Sequence, residues 1–264
     1  MWPVNRFIGV AMLITLLAGL GILAQPRPAG ALDLAVSPVQ VYLAADKKSA
    51  ILNVTNPNKE AITIQVSVFT WSQDPTTGDQ LDPTQDLLVF PQMLNIKPGA
   101  SRNIRVGTTE TAPQTERTFR LLLEPVVTPK KPSEEQGSTG TATFTIVTRA
   151  SVPVFIQPAK ANPAPLRTAL TADHGKLFIH VTNPGPVHVP PPGYIIKGYT
   201  AREELALEGE KRGWYVLAGA TRTETIPIPA DKCPSLRRLL VEVRSGQQTD
   251  TATIPVPPDF CQVQ

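Results

Sequence analysis

Residues 141–158, TATFTIVTRASVPVFIQP, alternate with a period of two. Phe144, Ile146, Thr148, Ala150, Val152, Val154 and Ile156 fall on one face, and Thr143, Thr145, Val147, Arg149, Ser151, Pro153 and Phe155 on the other. Successive side chains leave a pleated backbone on opposite sides, so the stretch reads as a β-strand. It is about twice the usual strand of ~5–6 residues, and it follows a polar loop, residues 128–140, rich in Pro, Gly, Ser and charge. Apolar residues on both faces need a layer on each side. Those layers are either two of the protein's own, or its own core and something external; the second arrangement is the expectation.

Shorter segments of the same kind precede it. Residues 34–43 (LAVSPVQVYL) alternate around Pro38, which cannot donate to a ladder and so predicts an edge strand broken or switched there. Residues 50–55 form a second strand ending in the Asn56-Pro57-Asn58 turn, and 62–71 a third, followed by a polar loop over 73–86. Residues 87–90 and 93–96 are short strands around Pro91, and Pro98-Gly99 turns the chain into 101–106; a strand over 119–124 then precedes the polar loop. Seven or so strands at such spacing, in a chain with 28 prolines, 6% aromatics and 41% apolar residues, predict an all-β immunoglobulin-like sandwich. The Pro/Ala run at 158–165 is a linker. Beyond it, strands at 176–182, 194–199, 214–217, 223–228, 239–244 and 249–256 predict a second, smaller β-sandwich, with a charged hairpin tip over 201–212. The expected division is 1–31 targeting segment, 32–158 first domain and 159–264 second domain.

Arg6, the apolar run 7–24 and the small residues Ala29-Gly30-Ala31 follow the order of a secretory signal peptide. The run is long for that purpose and also suits an uncleaved anchor, although a spanning helix needs ~20 apolar residues. Cleavage would remove Arg6 and Arg27 and no acid, so 25 less 2 basic residues would stand against 22 acidic ones, a net charge of +1. No basic stripe interleaved with aromatics remains, which excludes a nucleic-acid partner. In an exported protein Cys233 and Cys261 are expected to form a disulfide; a reactive thiol or metal pair would have neither C-x-x-C spacing nor a nearby His.

No constellation for catalysis stands out: G-x-S-x-G, H-E-x-x-H and Gly-rich phosphate loops are all absent. His174, His180 and His188 are spaced six and eight apart, a conceivable but unforced zinc set beside the commoner use of such residues on a surface or between domains. The expectation is a non-enzyme without cofactor or metal.

Taken in order, several segments resemble the periplasmic pilus-assembly chaperones of the chaperone–usher pathway. They are SPVQVYL (37–43), the Asn56 turn, Trp71, LLVFPQMLNIKPGASRNIRV (87–106), ERTFRLLLEP (116–125), TRASVPVFIQP (148–158), LFIHVTNPGPVHV (177–189), GWYVLAGATR (213–222) and the two cysteines. The resemblance covers nearly all of the chain after its targeting segment. It implies two immunoglobulin-like domains set at an angle, residence in the periplasm, pilus (fimbrial) subunits as clients and an outer-membrane usher as receiver. It also implies that Phe144, Ile146, Thr148 and Ala150 are donor residues completing a client that lacks its last strand. Relatives hold the client's terminal carboxylate with an Arg on the first strand and a Lys near the end of the donor strand. Gln40 and Pro153 stand at those places here, so Arg149 and Arg105 become the candidate anchor. An exposed donor strand also predicts that the free protein pairs with itself. The rival reading is a secreted two-domain structural or adhesive module, which would bury that strand.

Overall fold

The structure, a computed structural model, describes residues 33–110, 113–126, 148–162 and 164–261. Among the described residues, ten strands build the first sandwich: β1 (Ala35–Ser37), β2 (Val41–Leu43), β3 (Ser49–Thr55), β4 (Ile62–Asp74), β5 (Gly78–Pro83), β6 (Leu88–Phe90), β7 (Met93–Ile96), β8 (Ser101–Gly107), β9 (Arg117–Pro125) and β10 (Ala150–Ile156). One sheet runs β1-β3-β8-β6; the other runs β2-β10-β9-β4-β5, with β7 beside the start of β4. Alternate residues of both sheets meet in one core, where Leu52, Val54, Ile104 and Val106 face Ile64, Leu121, Leu123, Val154 and Ile156. Pro38 acts as expected: before it β1 pairs with β3, and after it β2 pairs with β10 in the opposite sheet.

Residues 73–86 differ from the polar loop expected of them. β4 runs on to Asp74, the chain turns through Gly78 at a φ of 82°, and β5 returns along β4. The turn is built locally. The Asp74 carboxylate accepts bonds from the N–H groups of Thr76 and Thr77, both at 2.8 Å, and these donors hold its pKa below the usual carboxylate range. Polar side chains conceal this hairpin because the backbone does the pairing.

The second sandwich comprises β11 (Arg167–Asp173), β12 (Lys176–Thr182), β13 (Gly193–Tyr199), β14 (Leu205–Arg212), β15 (Thr221–Pro227), β16 (Arg238–Ser245) and β17 (Gln248–Pro255). Its sheets are β11-β12-β15 and β14-β13-β16-β17, around Leu177, Ile179, Val181, Tyr194, Ile196, Leu239, Val241 and Val243. The expected hairpin tip over 201–212 is a turn that leads into β14, a full partner of β13. The expected strand at 214–217 reduces to one bridge, Val189 to Val216. The predicted disulfide is present: Cys233, in a short 3-10 turn, joins Cys261 with Cα atoms 5.7 Å apart.

Candidate functional site

β10 is paired unequally on its two sides. Along β9 it pairs throughout, from Ala150 opposite Leu123 to Ile156 opposite Arg117. Along β2 it pairs only from Val154 to Ile156, in parallel. Among the described residues, therefore, the second edge of β10 is open from Ala150 to Pro153 and closed from Val154 onward. The open half still has a buried side, since Val152, 3% exposed, packs in the core, and Ala150 lies at its margin. Open backbone groups beside an ordered apolar face are what an added strand requires.

The sequence-expected donor residues fall on both sides of the described boundary. Phe144 and Ile146 lie outside the described residues. Thr148 and Arg149 lead into β10 and are exposed, and Ala150 begins it. The two candidate anchor cations are not brought together. Arg149 pairs with Glu124 at 3.2 Å on the solvent side. Arg105 sits in the other sheet, on β8, between Ile51 of β3 and Phe90 of β6. Ile51 and Phe90 are 53% and 78% exposed, and Leu88 of β6 is exposed with them, so Arg105 belongs to an open apolar face. Gln40 accepts a bond from the Tyr42 hydroxyl at 2.7 Å, and Pro153 lies opposite Arg120.

Where β2 closes the edge, the two sandwiches meet. Trp71 and Phe155 pack with Tyr215 and Leu217 of the second sandwich. Phe155 stacks on His188 at 3.9 Å between ring centroids and on Tyr42 at 5.3 Å. The side chain of Glu116 is fully buried; one of its oxygens accepts the His188 backbone N–H at 3.0 Å and lies 2.7 Å from that ring's Nδ1. The Gln73 amide, on the β4–β5 hairpin, donates to the Tyr215 carbonyl at 2.8 Å and accepts from the Leu217 N–H at 2.9 Å, as one more rung of a β-ladder would. His180 lies elsewhere, on the outer face of β12 between Thr171 and Thr223. His174 occupies the turn between β11 and β12, so the three histidines are apart.

Sequence reasoning missed Arg120. It is 5% exposed, and its guanidinium lies 3.6 Å from the ring centroid of Trp71 and 5.3 Å from that of Trp214. Among the described residues no carbonyl or carboxylate accepts a bond from it. Burial pulls its pKa down, opposed by the charge of Asp79 and by the Tyr215 phenol. The available signal was the parity of FRLLLE, which puts Arg120 on the face turned away from Phe119 and Leu121.

Two β-sandwiches thus meet beside a strand that, among the described residues, is paired along only half of one edge. Residues 33–162 match the family described as pili and flagellar-assembly chaperone, PapD N-terminal domain, and the chain is a divergent member of the periplasmic pilus chaperones. Similar solved structures agree in fold. A chain of the CsuC–CsuE chaperone–tip adhesion subunit pre-assembly complex, from archaic chaperone-usher Csu pili of Acinetobacter baumannii, is 18% identical with a TM-score of 0.54, over 84% of this chain and 98% of that one. The class 5 fimbriae chaperone CfaA is 16% identical with a TM-score of 0.51, over 84% and 98%. A chain of the Salmonella enterica SafA pilin–SafB chaperone complex is 18% identical with a TM-score of 0.51, over 86% and 97%. No curated protein matches the sequence.

Proposed function

We propose that this protein is a periplasmic chaperone that binds pilus subunits by lending them its β10 strand and the residues before it, and hands them to an outer-membrane usher. The observation that carries this reading is that half of β10, among the described residues, has no partner on one edge while its inner face is anchored in the core. Main-chain bonds along that edge supply affinity, and alternate side chains from Phe144 through Ile146 and Thr148 to Ala150 fill a client's groove and supply selectivity. No nucleotide is called for, because the folding energy of the client drives its transfer. The apolar face around Ile51, Leu88 and Phe90 supports a second partner: it lies on the other sheet, so it stays accessible while β10 is occupied. The signal-like N-terminus and the disulfide support the periplasm as the place of action.

Co-expression with candidate pilins in a periplasm, followed by co-purification of wild type and Ile146→Asp, tests the reading. A one-to-one complex that the aspartate abolishes is expected. Absence of any complex, or one indifferent to Ile146→Asp, would return the protein to the class of structural modules.

A further inference from the structure

We propose that the crease between the β4–β5 hairpin and the outer face of the β11-β12-β15 sheet is a binding site for a neutral saccharide. The hairpin is held over the second sandwich by Gln73, which bonds to Tyr215 and Leu217, and by the pair of Asp79 with Arg222. Between hairpin and sheet lies a cleft of about 410 Å³. Small-molecule sites favour domain junctions and usually span ~300–1,000 Å³. The open edge of β10 is a different surface, because β9 lies between β10 and β4 in their sheet.

Strand parity builds the floor. Phe178 and His180 leave the same face of β12, with Thr225 opposite the first and Thr223 opposite the second on β15. Phe178 is only partly covered, an apolar ring set among hydroxyls. The His180 ring is fixed, with Nε2 3.0 Å from the Thr171 hydroxyl and Nδ1 3.0 Å from that of Thr223. A hydroxyl has one proton and two lone pairs, so Thr223 keeps bonding capacity toward the cleft in either tautomer of that ring. The exposed Thr225 hydroxyl has no protein partner among the described residues. Asp74 stands on the opposite wall. Its Oδ1 accepts from the N–H groups of Thr76 and Thr77 and from the Thr77 hydroxyl, at 2.8, 2.8 and 3.0 Å, which leaves Oδ2 for a ligand.

Charge and backbone pairing select the class of ligand. Asp74 is the one acid lining the cleft among the described residues, and the lining cation, Arg222, is already engaged by Asp79 and Glu224. An anion would therefore meet a carboxylate without a free counter-charge, and a cation would find a single acid already accepting three bonds. The floor strand β12 is paired on both sides, so its backbone offers no rung to a peptide and recognition falls to side chains. A sugar presents C–H patches beside hydroxyls that both donate and accept. An apolar ring bordered by hydroxyls and one carboxylate matches that mixture: the C–H face lies on Phe178, and the hydroxyls bond to Asp74, Thr223 and Thr225.

The test is saturation-transfer NMR with calorimetric titration, on the protein purified from a periplasm. The probes are the N-acetylglucosamine trimer, maltotriose and, as an anionic counterpart, the galacturonic acid trimer. Saturable binding of at least one neutral trimer is expected, with the anionic one about tenfold weaker or worse because its carboxylates meet Asp74. Thr225→Val removes one exposed hydroxyl at nearly constant shape and should weaken binding several-fold; Phe178→Ala should weaken it about tenfold or more. Thermal melts establish that each variant is folded. Preference for the acetylated trimer upholds the site and assigns it to amino-sugar glycans, and equal binding of both neutral trimers upholds it for neutral glycans in general. No saturable binding of either neutral trimer, binding unchanged in both variants, or equally tight binding of the anionic trimer would each overturn the assignment.

Discussion

Asn183 shows how much one polar side chain carries in this fold. It is 1% exposed; its amide donates to the carbonyls of Val187, Val216 and Leu217 at 2.8–3.1 Å, and its oxygen accepts from the Gly185 N–H. Asn56 does the same in the first sandwich, bonded to Glu60, Ile96 and Asn58, and both follow the same local sequence, Val-Thr-Asn-Pro. Asn183→Ala leaves buried backbone acceptors unpaired, so a loss of about 2–4 kcal/mol is expected in urea unfolding. Tyr194 is the opposite case. Its hydroxyl is buried without a partner, and desolvation pushes its pKa well above that of a free phenol. A phenol whose pKa is raised by folding contributes stability that is present below the unfolded pKa, about 10, and is lost as pH rises beyond it, by at most ~1.4 kcal/mol per pH unit. Tyr194→Phe should cost little at neutral pH and should make the decline between pH 10 and 11 shallower than in wild type. An identical alkaline slope in both proteins would contradict the assignment.

The β4–β5 hairpin is one of the elements that tie the two sandwiches together, through Gln73 and through the ion pair of Asp79 with Arg222 at 3.2 Å. Gln73→Ala removes two bonds across the junction and leaves both cores intact. Calorimetry should show a broadened or split transition, with the coupling reduced by about 1–3 kcal/mol. Reduction of Cys233–Cys261 acts within the second sandwich alone. For a sequence separation of 28 the chain-entropy argument gives a loss of about 3–4 kcal/mol. Most strands were legible in the sequence because period-two alternation is the physical cause of a half-buried strand, and the sheet switch at Pro38 was legible because proline cannot donate. The hairpin was not: Asp, Gln and Thr over 73–86 bury nothing in a core, and their pairing is read only from the backbone. Arg120 was hidden for a related reason. An arginine in a strand reads as a solvated face, and part of what covers it, Trp214, belongs to the other sandwich.

For the molecule as a whole, an open strand edge is a liability as well as a tool. Backbone donors and acceptors along Ala150–Pro153 pair with any extended segment, including the same edge of a second copy. Two such edges meet around a twofold axis, and this isologous arrangement closes on itself rather than growing into a fibre. The free protein is therefore expected to show a concentration-dependent monomer–dimer equilibrium in sedimentation velocity. A client strand competes for the same backbone groups, so adding a pilus subunit should convert the dimer into a one-to-one complex without a ternary intermediate. Ser151→Lys places a charge on the exposed side of the open half, next to the pairing groups, and is expected to weaken the dimer and client capture together. A clean monomer at high concentration would mean that this edge is covered in the free protein. A dimer that persists in the presence of saturating subunit would mean that self-association uses another surface, for which the apolar face around Phe90 is the next to test.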